Sequence, residues 1–181
     1  MSLTQSTDHG LGSPLPEATL GDPYGRQYRL ASLAGTKGLL IAVTCNHCPY
    51  AQAVWPRVIE LARRSRALGI ATVAVNPNLN PAYPDDSIAG MRAEIDRRGI
   101  DFPYLADADQ ALSRALGAVC TPEFFLYDKG GLVYHGRLDD NWKEPDKVTH
   151  HELRDAIEAL ATGRPVPADQ KPSLGCSIKW L

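Results

Sequence analysis

Cys45 and Cys48 are separated by two residues in Thr44-Cys45-Asn46-His47-Cys48-Pro49-Tyr50. Thiols at this spacing can close a small disulfide when their side chains converge, so the pair reads as a reversible dithiol. An apolar run, Leu39 to Val43, precedes it, and Val54, Val58, Leu61 and Leu68 follow at helical spacing. The pattern is strand, dithiol, helix. A helix that starts here puts Cys45 at its N-terminus, where unpaired N–H groups and the positive end of the dipole favour a thiolate. By position Cys45 is expected to be the exposed nucleophile and Cys48 the shielded, resolving partner. His47, beside Cys48, either adds positive charge that stabilises thiolate or faces solvent with little effect. Cys45 and Cys48 as zinc ligands would need a second pair or a suitably spaced His pair. His150 and His151 are adjacent, and Cys120 and Cys176 are isolated. No metal or other cofactor is therefore expected. The binding-protein alternative is a metal or redox-sensing module built from Cys45, His47, Cys48 and Cys120.

The elements that must position these residues follow in order. Residues 1–12 read as a flexible N-terminus, 13–164 as the domain, and 165–181 as a Pro-rich tail that docks on it. Ala18–Leu20 and Arg26–Leu30 flank a turn-rich insert and suggest a hairpin. A strand at about 38–44 leads to a helix over roughly 47–67 that Pro56 should kink. Ile70–Val75 is a second buried strand. After a loop with three prolines, Asp85 or Asp86 caps a helix carrying Ile88, Met91 and Ile95. Phe102–Leu105 is a short strand, and a brief helix carries Leu112 and Leu116. Glu123–Tyr127 and Leu132–His135 form a hairpin about Asp128-Lys129-Gly130-Gly131. A last helix carries Leu153, Ile157 and Leu160. This order calls for a mixed α/β fold, a central sheet covered by helices. Cys176, in a tail apolar enough to dock, could pair with Cys120, resolve a mixed disulfide at Cys45, or sit as an unreactive thiol.

The 181 residues are 44% hydrophobic and 22% charged, with a net charge of −2. That gives no electrostatic case for nucleic acid or an anionic membrane. No apolar run approaches the roughly 18 residues that span a bilayer. Met1 to Gly12 lack a signal peptide's basic and apolar regions, so the expected location is the cytoplasm. In a reducing compartment a Cys-x-x-Cys is catalytic or metal-binding more often than structural.

A Cys-x-x-Cys between a strand and a kinked helix, with Thr121-Pro122 ahead of a β-hairpin, resembles the thioredoxin fold. That family carries a cis-proline facing the dithiol, and Pro122 matches it. The resemblance implies a cis Thr121–Pro122 bond, with backbone edges near Cys45 for an extended substrate. It also places Cys120 beside the site, as a small buried filler or a third redox thiol. The N-terminal hairpin and the 76–108 insertion are similar to the redoxin branch, which includes TlpA/ResA-like proteins and peroxiredoxins. More narrowly, Cys45-Asn-His-Cys48-Pro-Tyr, Phe102-Pro-Tyr-Leu, Cys120-Thr-Pro, Gly136-Arg-Leu-Asp-Asp140 and Gly175-Cys-Ser-Ile-Lys-Trp180 resemble a bacterial group commonly labelled AhpC/TSA or redoxin. The likeness covers about residues 13–181. It implies an enzyme, a thiol–disulfide oxidoreductase. Protein or small-molecule disulfides would be its substrates, and a thiol system would donate electrons. The Cys-x-His-Cys placing is shared with the strongly oxidising DsbA family. The alternative is a thiol peroxidase. Against it, Ala42 stands where peroxiredoxins carry Thr or Ser. Leu39 to Val43 also lack the carboxylate that thioredoxins bury beneath the dithiol, so a proton acceptor must come from elsewhere or be water.

Overall fold

A computed structural model of the chain describes residues 3–7 and 10–181. Its centre is strand β4, Gly38–Val43, with all six residues buried. A continuous Leu-Leu-Ile-Ala-Val run is what a strand covered on both faces requires. Alternation then divides the core. Leu40 and Ala42 point to helices α1 (Pro49–Ala67), α2 (Ile88–Arg98) and α4 (Glu152–Ala161). Leu39, Ile41 and Val43 point to the opposite face, with Leu112 and Leu116 of α3 (Ala111–Leu116).

β5 (Ile70–Asn76) runs parallel to β4, and β8 (Glu123–Asp128) runs antiparallel on its other side. β9 (Gly131–Gly136) completes the hairpin with β8. In its turn Asp128 Oδ1 accepts from the Gly130 and Gly131 N–H groups, at 2.6 and 3.0 Å. With β2 (Thr19–Gly21), β3 (Gln27–Arg29) and β6 (Tyr104–Ala106), the seven-stranded order is β3-β2-β6-β5-β4-β8-β9. This is the expected mixed sheet.

Two local differences from the sequence reading reshape the site. Helix α1 begins at Pro49, with Cys48 as its N-cap residue. Proline fits the first helical position because its φ is already helical and its missing N–H would have no partner there. Cys45 therefore lies three residues ahead of the cap, not at the helix start. Secondly, α2 is capped by Ser87, whose side chain accepts from the Gly90 N–H. Asp85 and Asp86 lie in a 3₁₀ turn, Pro84–Asp86, and Asp86 is fully buried.

A small second sheet was not anticipated. β10 (Leu174–Ser177) pairs antiparallel with β7 (Cys120–Thr121) on one side and with β1 (Leu3–Gln5) on the other. Leu3–Gln5, within the segment 1–12, form one of its edge strands. Those residues gain backbone hydrogen bonds from the tail that no local pattern announces.

Candidate active site

Strand β4 ends at Val43, and the Thr44 N–H donates to Val75 O at 2.9 Å. The Cys45–Cys48 loop that follows is fixed mainly through Asn46. Its N–H donates to Asp86 Oδ1 (2.6 Å), its Nδ2 to Asp85 O (2.7 Å), and its Oδ1 accepts from the Tyr104 hydroxyl (2.9 Å). Gln52 of α1 reaches back to Asn46 O at 2.6 Å. Asp86 also accepts from Asn76 Nδ2 (3.0 Å) and pairs with His47 Nδ1.

His47 is not the solvent-facing residue of one sequence alternative. Its side chain is 7% exposed and stacks on Tyr83, with centroids 4.2 Å apart. The charges that act on Cys45 are those of Asp86, the partner of His47, and of Cys48, and both raise its thiol.

Both sulfurs of the pair are buried, so the expected exposure of Cys45 is corrected for this state. Cys45 Sγ lies 3.3 Å from Thr121 Oγ1, and Cys48 Sγ lies 3.2 Å from Thr121 O. The Thr121–Pro122 bond is cis, as the resemblance implied. Cys176 Sγ, from β10, is 2.8 Å from Cys48 Sγ. Cys120, by contrast, is turned away from the dithiol. Its thiol faces Glu123 Oε2 at 3.6 Å, and Glu123 Oε1 pairs with His135 Nε2 at 2.6 Å. Among the sequence candidates, then, Cys45, Cys48, Thr121 and Cys176 meet. Asn46 and His47 brace the loop from Asp86, and Cys120 joins a separate buried network.

Acidity divides against the sequence expectation. Burial raises the Cys45 thiol well above its ordinary range, and donation to Cys48 and the charge of Asp86 push the same way. Hydrogen bonding from Cys45 lowers Cys48 to about 5 against the cost of burial, with Cys176 and the Ala51 N–H adding to the effect. Burial, then donation to Cys48, pushes Cys176 up to about 12. Donors converge on the helix cap residue, and they favour thiolate at Cys48 over Cys45. Absorbance at 240 nm during a pH titration of reduced protein should show a thiolate forming as pH rises through about 5. Cys48→Ser should abolish that step; its persistence would place the charge elsewhere.

Two carboxylates near the site escaped the sequence reading. Asp86 matched a helix-cap pattern, and Glu123 opened a strand pattern. The only sequence signal for Glu123 is its place directly after Pro122. Cys45, His47 and Asp86 also present ligand atoms within 4.8 Å of one another. This trio differs from the Cys45, His47, Cys48 and Cys120 set considered for a metal, and its carboxylate is already engaged by Asn46, Asn76 and His47. Beside Pro122 lies a cleft of about 260 Å³, lined by Phe124, Arg137, Asp139, Trp142 and Leu174 among others.

The Redoxin family model matches residues 11–157. The chain belongs to the Redoxin family. This redoxin is 29% identical over 165 residues to the thiol:disulfide interchange protein DsbE of Pseudomonas aeruginosa, covering 81% of this chain and 84% of that protein. A solved hypothetical protein of Sinorhizobium meliloti 1021 is 38% identical with a TM-score of 0.92, each chain covered to 98%. The thioredoxin domain of a thiol-disulfide oxidoreductase from Bacteroides vulgatus shares the fold at 17% identity and a TM-score of 0.59. There the match covers 71% of this redoxin and 89% of that domain.

Proposed function

We propose that this redoxin is a thiol–disulfide oxidoreductase in which Cys45 and Cys48 cycle between dithiol and disulfide. One observation carries the reading: two buried thiols are held against Thr121 and its cis bond to Pro122, just ahead of α1. The likeness to an interchange protein supports it. Cys45 thiolate attacks a substrate disulfide, one substrate sulfur leaves as thiolate, and a mixed disulfide forms at Cys45. Cys48 then attacks Cys45 Sγ and expels the second substrate thiolate, leaving a Cys45–Cys48 disulfide.

Hydrogen bonding from Cys45 favours the charge on Cys48, while burial disfavours it on Cys45. Moving that one proton from Cys45 to Cys48 supplies the attacking thiolate, so the two sulfurs titrate as a pair. A thiol-based donor must reduce the disulfide for the next cycle. Substrates are protein or small-molecule disulfides, and the cleft beside Pro122 is the approach we assign them. A cytosolic place of work belongs to the same proposal, since reduced thiols persist there. The peroxidase alternative gains no observation in its favour: Ala42 packs into the core on the α1 side of the sheet.

The test is reduction of insulin by the full chain with dithiothreitol, together with mass mapping of the protein after equilibration in glutathione buffers. Catalysed reduction and a Cys45–Cys48 disulfide are expected. A chain that neither accelerates the reaction nor forms that disulfide at any poise would sink the proposal.

A further inference from the structure

We propose that the C-terminal strand occupies the place of a substrate strand, and that Cys176 is a third redox cysteine that exchanges with the active pair through Cys48. The inference rests on the oxidoreductase reading and adds an internal competitor to it.

A free strand edge beside a dithiol is where an extended polypeptide can add by main-chain pairing. Here that edge is β7, and it is taken by β10, with Cys176 opposite Thr121 and Ser177 opposite Cys120. The register puts a cysteine where a substrate cysteine would have to lie. The Cys176–Cys48 separation of 2.8 Å is within about 0.8 Å of a disulfide bond length. Together with Tyr50 and Ala51, Cys176 packs over the two sulfurs, and both are sealed from solvent with the strap in place.

The fit is built from both ends of the chain. A Cβ on Gly175 would run into the Thr121 carbonyl, so only glycine lets β10 lie this close. β1 covers the outer edge of β10, and Ser6 and Ser173 exchange two further hydrogen bonds of 2.9 and 2.8 Å. Beyond the strand, the Ile178 N–H donates to Val119 O (3.0 Å) and the Lys179 N–H to Asn78 Oδ1 (2.9 Å). A docked tail held at this many points is a strap across the site.

The exchange conserves electrons. From the Cys45–Cys48 disulfide, Cys176 sulfur attacks Cys48 Sγ, the Cys45–Cys48 bond breaks, and its electron pair stays on Cys45. The proton lost by Cys176 ends on Cys45. The product is a Cys48–Cys176 disulfide with a Cys45 thiol, at the same oxidation level. In one disulfide state the strap is able to leave and admit substrate; in the other it is locked down.

The experiment uses the full chain, oxidised with glutathione disulfide, quenched in acid, alkylated and mapped by mass spectrometry. Cys45→Ser protein should yield the Cys48–Cys176 link as its main product. If Cys176 links to Cys120, or if only glutathione adducts form, the inference is overturned. Wild-type protein that forms Cys45–Cys48 and reduces insulin in the same series separates that failure from failure of the oxidoreductase reading. A second measurement addresses the strap itself. Gly175→Val should speed iodoacetamide labelling of the reduced Cys45/Cys48 pair by at least roughly tenfold, because the open fraction sets the apparent rate. A folded Gly175→Val protein, judged by a cooperative thermal melt, that labels at the wild-type rate would overturn the strap. Mapping of the Cys45→Ser protein decides independently of how that variant folds.

Discussion

Cys45→Ser protein is expected to lose insulin-reducing activity by roughly 10³-fold or more while remaining folded. A serine hydroxyl occupies nearly the same space and keeps a contact to Thr121, so the loss reports chemistry and not packing. Oxygen cannot form the mixed disulfide, and Cys48 is left without the sulfur it must attack. Cys48 and Cys176 remain neighbours in this variant, but their link locks the strap down and presents no thiol to substrate. The companion variant fixes the order of events. Cys48→Ser retains the attacking sulfur but lacks the resolving one, so the Cys45–substrate mixed disulfide should accumulate on a non-reducing gel. Accumulation in Cys45→Ser instead would make Cys48, the more acidic thiol here, the first to attack. Full activity in Cys45→Ser would remove the dithiol mechanism.

The dithiol and its frame were readable because each rests on local chemistry. A continuous apolar run can only be comfortable as a strand covered on both faces, which is what Leu39–Val43 becomes. Asp128-Lys129-Gly130-Gly131 carries its own turn hydrogen bonds. Pro49 sets the first turn of α1 and makes Cys48, not Cys45, the cap residue. That one-turn difference decides which sulfur collects the donors. Sequence rules place a helix start only to within a residue or two, and here such an offset reverses the acid–base roles.

What the sequence hid was non-local. Leu3–Gln5 and Leu174–Ser177 are too short for alternation to mark them; the first is a strand because the tail is there to pair with it, and the second because it lies between Leu3–Gln5 and Cys120–Thr121. Glu123 and His135 sit in adjacent strands and meet behind Cys120, a contact that follows from hairpin register and not from spacing. Asp86 was legible as a polar residue before a helix, and that generic role masked its real one, since Ser87 next to it already does the capping. A buried carboxylate 40 and 39 positions from Asn46 and His47, the loop residues it braces, leaves no periodic trace; it is visible only once β5 and the Pro84–Asp86 turn carry it under the Cys45–Cys48 loop.

Asp86→Leu is accordingly expected to destabilise the reduced protein by roughly 3–5 kcal/mol, the range for removing one partner from a buried charged network. Three donors, the Asn46 N–H, Asn76 Nδ2 and His47 Nδ1, lose their acceptor at a site with no exposure. For a chain of this size each kcal/mol moves the melting midpoint by about 2–4 °C, so the drop should exceed roughly 6 °C. Asp86→Asn keeps one acceptor oxygen for Asn46 and Asn76, and should cost only about 1–2 kcal/mol. Chemistry and stability should part company in the leucine variant. Removing the carboxylate takes away a charge that raises the Cys45 thiol, so Cys45 should form thiolate at lower pH even as the fold weakens. Urea unfolding measures the first effect, and the pH profile of thiol alkylation at Cys45, under conditions where the variant is still folded, measures the second. Stability within about 0.5 kcal/mol of wild type would mean that the Cys45–Cys48 loop is held by Asn46 and Tyr104 alone. An unchanged alkylation profile would mean that the Asp86 carboxylate has no influence on the sulfur.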